Sequence, residues 1–184
     1  HPSGPKPSNI KGKDVDGDGE GDFVASDEEE GTVTVLKKSS STRGYDPPLV
    51  ITVAASTGSL TLFDFDVDGD EDIAVVATLD DGSRVAKMLR NDSDLYGGSL
   101  LVFADAEDLA TDVDVLLLSS GDLDHDGDDD LVVIGERDLR GGRGLASTLG
   151  VYDNPRCVGD TDGDQVVDVS DLLDVISNWG ACNG

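Results

Sequence analysis

The sequence predicts an all-β fold of antiparallel, propeller-blade-like repeats, about two and a half in an open series, with a small C-terminal EF-hand-like loop-helix unit. Three observations carry this. Three segments align without a gap as D-x-D-x-D-G-x-x-D followed by an apolar residue: Asp14 to Phe23, Asp64 to Ile73 and Asp122 to Leu131. Their starts lie 50 and 58 residues apart, the interval of a repeat architecture. Between the copies run short stretches rich in β-branched residues, broken by turn chemistry.

The elements follow in order. After the first acidic segment come the expected strands Phe23 to Ala25, Thr32 to Leu36, Leu49 to Val53 and Ser59 to Phe63. Glu28 to Gly31, Tyr45 to Pro48 and Ser56 to Gly58 supply the turns between them. After the second segment come Ile73 to Val76, Arg84 to Leu89, Leu100 to Phe103 and Val113 to Leu118. The third is followed by Leu131 to Ile134, a Gly/Arg-rich connection at 140–144 and a last strand from about Leu145 to Tyr152. Four short strands per interval is blade arithmetic. Residues 1–8 read as an N-terminal extension, 9–152 as the β-repeat domain and 153–184 as a separate unit.

The chain has 184 residues and a formal net charge of -27, from 40 acidic and 13 basic side chains. That sign excludes a nucleic-acid binder working through phosphate contacts and disfavours anionic membranes. No run of 18 apolar residues exists to span a bilayer. So acidic a chain folds only if something neutralises its acid. The spacing of the acids says what. Each segment places carboxylates at positions 1, 3, 5 and 9 around one point, a backbone carbonyl at position 7, and a glycine at position 6 where the turn is sharp. Hard oxygen ligands on a flexible loop select calcium. The expected side-chain ligands are Asp14, Asp16, Asp18 and Asp22; Asp64, Asp66, Asp68 and Asp72; Asp122, Asp124, Asp126 and Asp130. Glu20, Asp70 and Asp128 would contribute carbonyls.

These segments, with Gly31 to Leu36 and Asp72 to Val76, resemble the FG-GAP or VCBS repeats of integrin-α-like β-propellers over roughly residues 9 to 152. The resemblance implies antiparallel blades, calcium in the loop between strands, and an extracellular setting. It implies no single activity.

A fourth acidic loop differs from these. Asp160, Asp162, Asp164, Asp168 and Asp171 occupy positions 1, 3, 5, 9 and 12, with the Val166 carbonyl at position 7. Leu172, Leu173, Val175, Ile176 and Trp179 then line one face at helical spacing, and Gly180 ends the run. This resembles one half of a type I dockerin, with Gln165 in place of the turn glycine. Cys157 and Cys182 bracket the unit and suggest a disulfide formed in an oxidising compartment, two free thiols being the alternative. About four calcium ions in all would offset the charge where it is densest, making metal binding part of the folding free energy.

No enzyme is expected. His1 is terminal, and His125 sits at position 4 of the third loop, so no Ser-His-Asp or Cys-His arrangement can form. Nearly every close carboxylate pair belongs to a calcium loop. Asn91-Asp92-Ser93 fits the N-glycosylation pattern in an expected loop, and Ser39 to Thr42 offers hydroxyls for O-linked sugar. The expected role is a secreted, calcium-stabilised structural protein that self-assembles through its repeats. The alternative is a calcium-binding adhesion module with a protein or glycan partner, part of a larger extracellular protein.

Overall fold

A computed structural model describes residues 6–39, 43–66, 68–93, 101–109, 113–123, 125, 127–138 and 145–152. Eleven strands lie within them: β1 (Pro7–Lys13), β2 (Asp22–Asp27), β3 (Thr32–Leu36), β4 (Leu49–Thr52), β5 (Ser56–Phe63), β6 (Asp72–Thr78), β7 (Arg84–Leu89), β8 (Glu107–Leu109), β9 (Asp114–Gly121), β10 (Asp130–Asp138) and β11 (Leu145–Tyr152). They form three antiparallel meanders: β1-β2-β3-β4, β5-β6-β7-β8 and β9-β10-β11. No described residue is helical, so no described helix is long and apolar enough to cross a membrane.

Each acidic segment joins the first strand of a sheet to its second. The first strands lie side by side, β1 against β5 and β5 against β9. Hydroxyls stitch them: Ser8 Oγ of β1 donates to Thr57 O of β5 at 3.3 Å, and Thr61 Oγ1 of β5 and Ser120 Oγ of β9 lie 2.8 Å apart. The three loops are thus at the same place in successive sheets.

Pleating gives every strand two faces, and the sheets use them in a fixed order. One face of the first sheet, carrying Val24, Val33 and Val35, packs on Leu60, Leu62, Ile73, Val75 and Leu89 of the second. The opposite face of the second, carrying Phe63, Ala74, Val76 and Met88, packs on Val115, Leu118, Leu131 and Val133 of the third. Among the described residues, only the middle sheet is covered on both faces. That is why Ile73 to Ala77 of β6 read as a continuous apolar run and are all buried. Each large side chain so buried contributes about 1.5–3 kcal/mol.

Gly31 fixes the hairpin between β2 and β3. Its φ is +63°, and a Cβ there would lie 1.9 Å from the Ala54 carbonyl oxygen. The close approach lets Gly31 O accept from Val53 N and Ala54 N at 2.9 and 3.2 Å, tying the first sheet to the chain entering the second.

Two expectations need correction. Residues 101–103 form no strand; Phe103 makes a single bridge with Asn91, and the fourth strand of the second sheet is Glu107–Leu109 instead. Leu101 and Phe103 are apolar because they lean on the first core from a returning loop. The strand before the first acidic loop was not among those expected, and it takes in Pro7 and Ser8, the last two residues of the expected extension 1–8. Pro7–Lys13 pairs with β2 as the first strand of the first sheet, although charge and glycine hide it from a pattern search. The helix through Trp179, the disulfide Cys157–Cys182 and the 140–144 connection lie outside the described residues.

Candidate metal centre

The three loops are built alike. The position-9 carboxylate closes each by accepting the position-2 backbone N–H: Val15 N to Asp22 at 3.0 Å, Phe65 N to Asp72 at 2.7 Å, Leu123 N to Asp130 at 2.9 Å. In the first two loops the position-1 carboxylate accepts from positions 5 and 6. Asp18 N and Gly19 N reach Asp14 at 3.2 and 2.7 Å, and Asp68 N and Gly69 N reach Asp64 at 3.1 and 2.9 Å. The position-7 N–H of Glu20 and of Asp70 goes to the position-5 carboxylate, both at 2.9 Å. Position 6 is left-handed in all three, with φ of +86°, +96° and +103° at Gly19, Gly69 and Gly127. Position 4 is left-handed at Gly17 and at His125, whose φ is +68° and whose side chain is exposed.

This scaffold gathers charge. Oxygens of Asp14, Asp16 and Asp18 lie within 4.8 Å of one another, as do those of Asp64, Asp66 and Asp72. Twice a calcium–oxygen bond of about 2.4 Å is the same length. Asp22 lies at the foot of the first loop with both oxygens on backbone donors, Val15 N and Lys38 N, the latter at 2.6 Å. Asp72 does the same with Phe65 N and Asn91 N, the latter also at 2.6 Å. In the third loop Asp122 accepts from His125 N at 2.7 Å and Asp130 is buried. Asp124 and Asp126 lie outside the described residues. So do the fourth-loop ligands Asp160, Asp162, Asp164, Val166, Asp168 and Asp171.

Electrostatics mark the second loop as a site short of positive charge. Burial raises the Asp72 carboxyl to about 7 against the hydrogen bonds from Asn91 N and Phe65 N, with Asp66 and Asp68 adding repulsion. Burial and the neighbouring Asp68 and Asp64 also raise Asp66, opposed by Arg90. Asp66 Oδ1 is buried without a hydrogen-bond partner. A hard dication at this point would satisfy that oxygen and reverse both shifts. The residues therefore fit calcium.

Sequence reasoning missed four side chains around the loops. Lys37 forms an ion pair with Asp16, whose side chain is 1% exposed, and Arg90 Nη1 lies 3.8 Å from Asp66 Oδ2. Both cations directly follow the third strand of their sheet and face a position-3 carboxylate. Aligning the copies on Leu36-Lys37 and Leu89-Arg90 would have found them. Lys13, at the end of β1, reaches Glu71 at 2.6 Å and Asp129 at 3.9 Å, the position-8 acids of the second and third loops. It lines a polar cleft of about 240 Å³ with Asp64, Glu71 and Asp128. Burial raises the Glu71 carboxyl, and the Lys13 ammonium works against that.

The fourth is Asn91, and its burial counts against a glycan at the sequon. Asn91 is 1% exposed, and its Nδ2, the atom a glycan would take, donates to Val15 O at 2.7 Å and Glu71 O at 3.3 Å. The sequon is therefore a buried pin between the first two loops. Ser39 is buried too, while residues 40–42 lie outside the described set.

No curated protein matches the chain. Residues 14–75, from the first acid of the first loop into β6 and across both carboxylate clusters, match the family model of the FG-GAP-like repeat.

Proposed function

We propose that this chain is a secreted structural protein that calcium stiffens and that assembles copy on copy through its β-repeats. One observation supports the calcium part above others: two equivalent loops each bring three carboxylates within calcium-spanning distance on an otherwise closed hydrogen-bond scaffold. Asp14, Asp16, Asp18 and Asp22 would hold one ion, and Asp64, Asp66, Asp68 and Asp72 a second. Asp122, Asp124, Asp126 and Asp130, and the fourth loop, would hold two more. Bound metal supplies the counter-charge that a chain of net charge -27 lacks, and its binding energy adds to stability.

The match of residues 14–75 to the FG-GAP-like repeat favours a second reading. There the chain is an extracellular adhesion or interaction module, and its partner is another protein or a glycan. Sedimentation in calcium and then in excess EGTA separates the two. Assemblies well above 19.1 kDa that dissociate on chelation support the first reading, and a monomer in calcium supports the second. An unchanged melting temperature in EGTA would remove calcium from both.

A further inference from the structure

We infer that copies of this chain join head to tail, the outward face of the β9-β10-β11 sheet of one copy packing on the outward face of the β1-β2-β3-β4 sheet of the next. This rests on the self-association proposed above and names its surfaces. Register decides which residues face outward. Phe23 and Ala25 of β2 stand where Ile73 and Val75 stand in β6 and Leu131 and Val133 in β10. In β6 and β10 those residues meet the preceding sheet. In β2 they meet no described residue of a preceding sheet, and Phe23 is 40% exposed. Ile10 and Val50, on the same face through their register with Ala25 and Thr34, are 63% and 56% exposed, and Tyr45 packs on Phe23.

The third sheet is the mirror case. Val132 and Ile134 correspond to Val24 and Ser26 of β2 and to Ala74 and Val76 of β6, which face the following sheet. Ile134 is exposed, with Leu117 and Leu149 beside it in the ladder and Val151 opposite Val132. The position-2 loop residue tells the same story. Val15 is buried in the first core and Phe65 is packed against the second, whereas Leu123 is 49% exposed. All nine large apolar side chains exposed among the described residues therefore lie on these two surfaces. One surface is the half that meets a following sheet, and the other is the half that meets a preceding one. The chain already joins such halves twice, so a second copy offers each face the partner it is shaped for. Such a contact is heterologous and closes into a ring or runs into a filament.

The test uses full-length chains in calcium, each with one face altered: Ile10→Glu with Val50→Glu, and Leu149→Glu with Val151→Glu, so that the two altered faces repel each other in the mixture. These side chains are more than half exposed, so circular dichroism should show both variants folded; Leu149→Glu alone is the fallback. Each variant alone should run as a monomer, its self-association weakened at least about a hundredfold. Mixed in equal amounts they should form a one-to-one dimer and stop, because one intact face of each kind remains. Wild type monomeric in calcium would overturn the self-association reading and this inference with it. Wild type that assembles while either variant assembles equally well overturns the inference alone. In that case another surface, or residues 153–184 of the same copy, fills the face.

Discussion

Replacing Asn91 by alanine tests whether the first two loops are held as one unit. The amide donates at 2.7 Å to Val15 O in the first loop and at 3.3 Å to Glu71 O in the second, inside a site 1% exposed. Its Oδ1 also accepts from Ser93 N at 3.3 Å and lies against the Ser93 hydroxyl. Alanine removes these bonds and strands buried carbonyls. A net hydrogen bond is worth about 1 kcal/mol and a stranded buried acceptor costs about 1–3 kcal/mol. The longer second bond counts for less, so the expected loss is about 3 kcal/mol. In a domain of this size that lowers the melting temperature by about 6–10 °C. Calcium-loaded protein melted by circular dichroism, with urea unfolding as a second measure, reads the change. Asn91→Asp should cost more, since an acceptor would then face two carbonyls beside Asp72. A loss below about 0.5 kcal/mol for Asn91→Ala would refute the pin. Secretion from a glycosylating host should leave the mass of the Asn91 peptide unchanged.

Three further outcomes are expected. Gly31→Ala should destabilise by about 3 kcal/mol, through left-handed strain and the clash with Ala54 O, and unfolding by urea checks it. Lys37→Met should tighten calcium binding at the first loop about tenfold while weakening the metal-free fold, because the ammonium on Asp16 repels the dication; titration calorimetry showing equal affinity would count against it. Hydrogen bonds from Arg84 hold the Asp114 carboxyl below its ordinary value, with Arg84 Nη2 at 2.6 Å. The pair's stabilisation is therefore complete above the unfolded carboxylate value of about 3.9 and is lost as pH falls through the lower folded value. With the two side chains 33% and 42% exposed, Asp114→Asn should cost only about 0.5 kcal/mol at pH 7. At pH 2 it should cost less, as paired melts at the two pH values would show.

The sequence by itself determined the repeat, the acidic loops and most of the strands. Those properties are local: aspartates at every second residue around a glycine mark a tight acidic loop, and Thr32-Val33-Thr34-Val35-Leu36 alternates with the pleat. It also determined that the strands group into two full sheets and part of a third, since the loops mark the phase. Several strand ends still moved by one to four residues where pairing continued past the apolar run, as in β5 and β10. What tertiary structure decided is everything that depends on a neighbour distant in the chain. Pro7–Lys13 is a strand because β2 offers it an edge, and Leu101 to Phe103 is not one because the first core needs a cover more than the sheet needs a rung. Asn91 looks like a surface sequon until the Val15 carbonyl, 76 positions earlier, arrives to accept its amide. Lys37, Arg90 and Lys13 look like scattered charge until folding sets each against a loop carboxylate. Register alone divides identical valines into those that meet another sheet and those left facing outward, because a one-residue step turns a side chain to the other face.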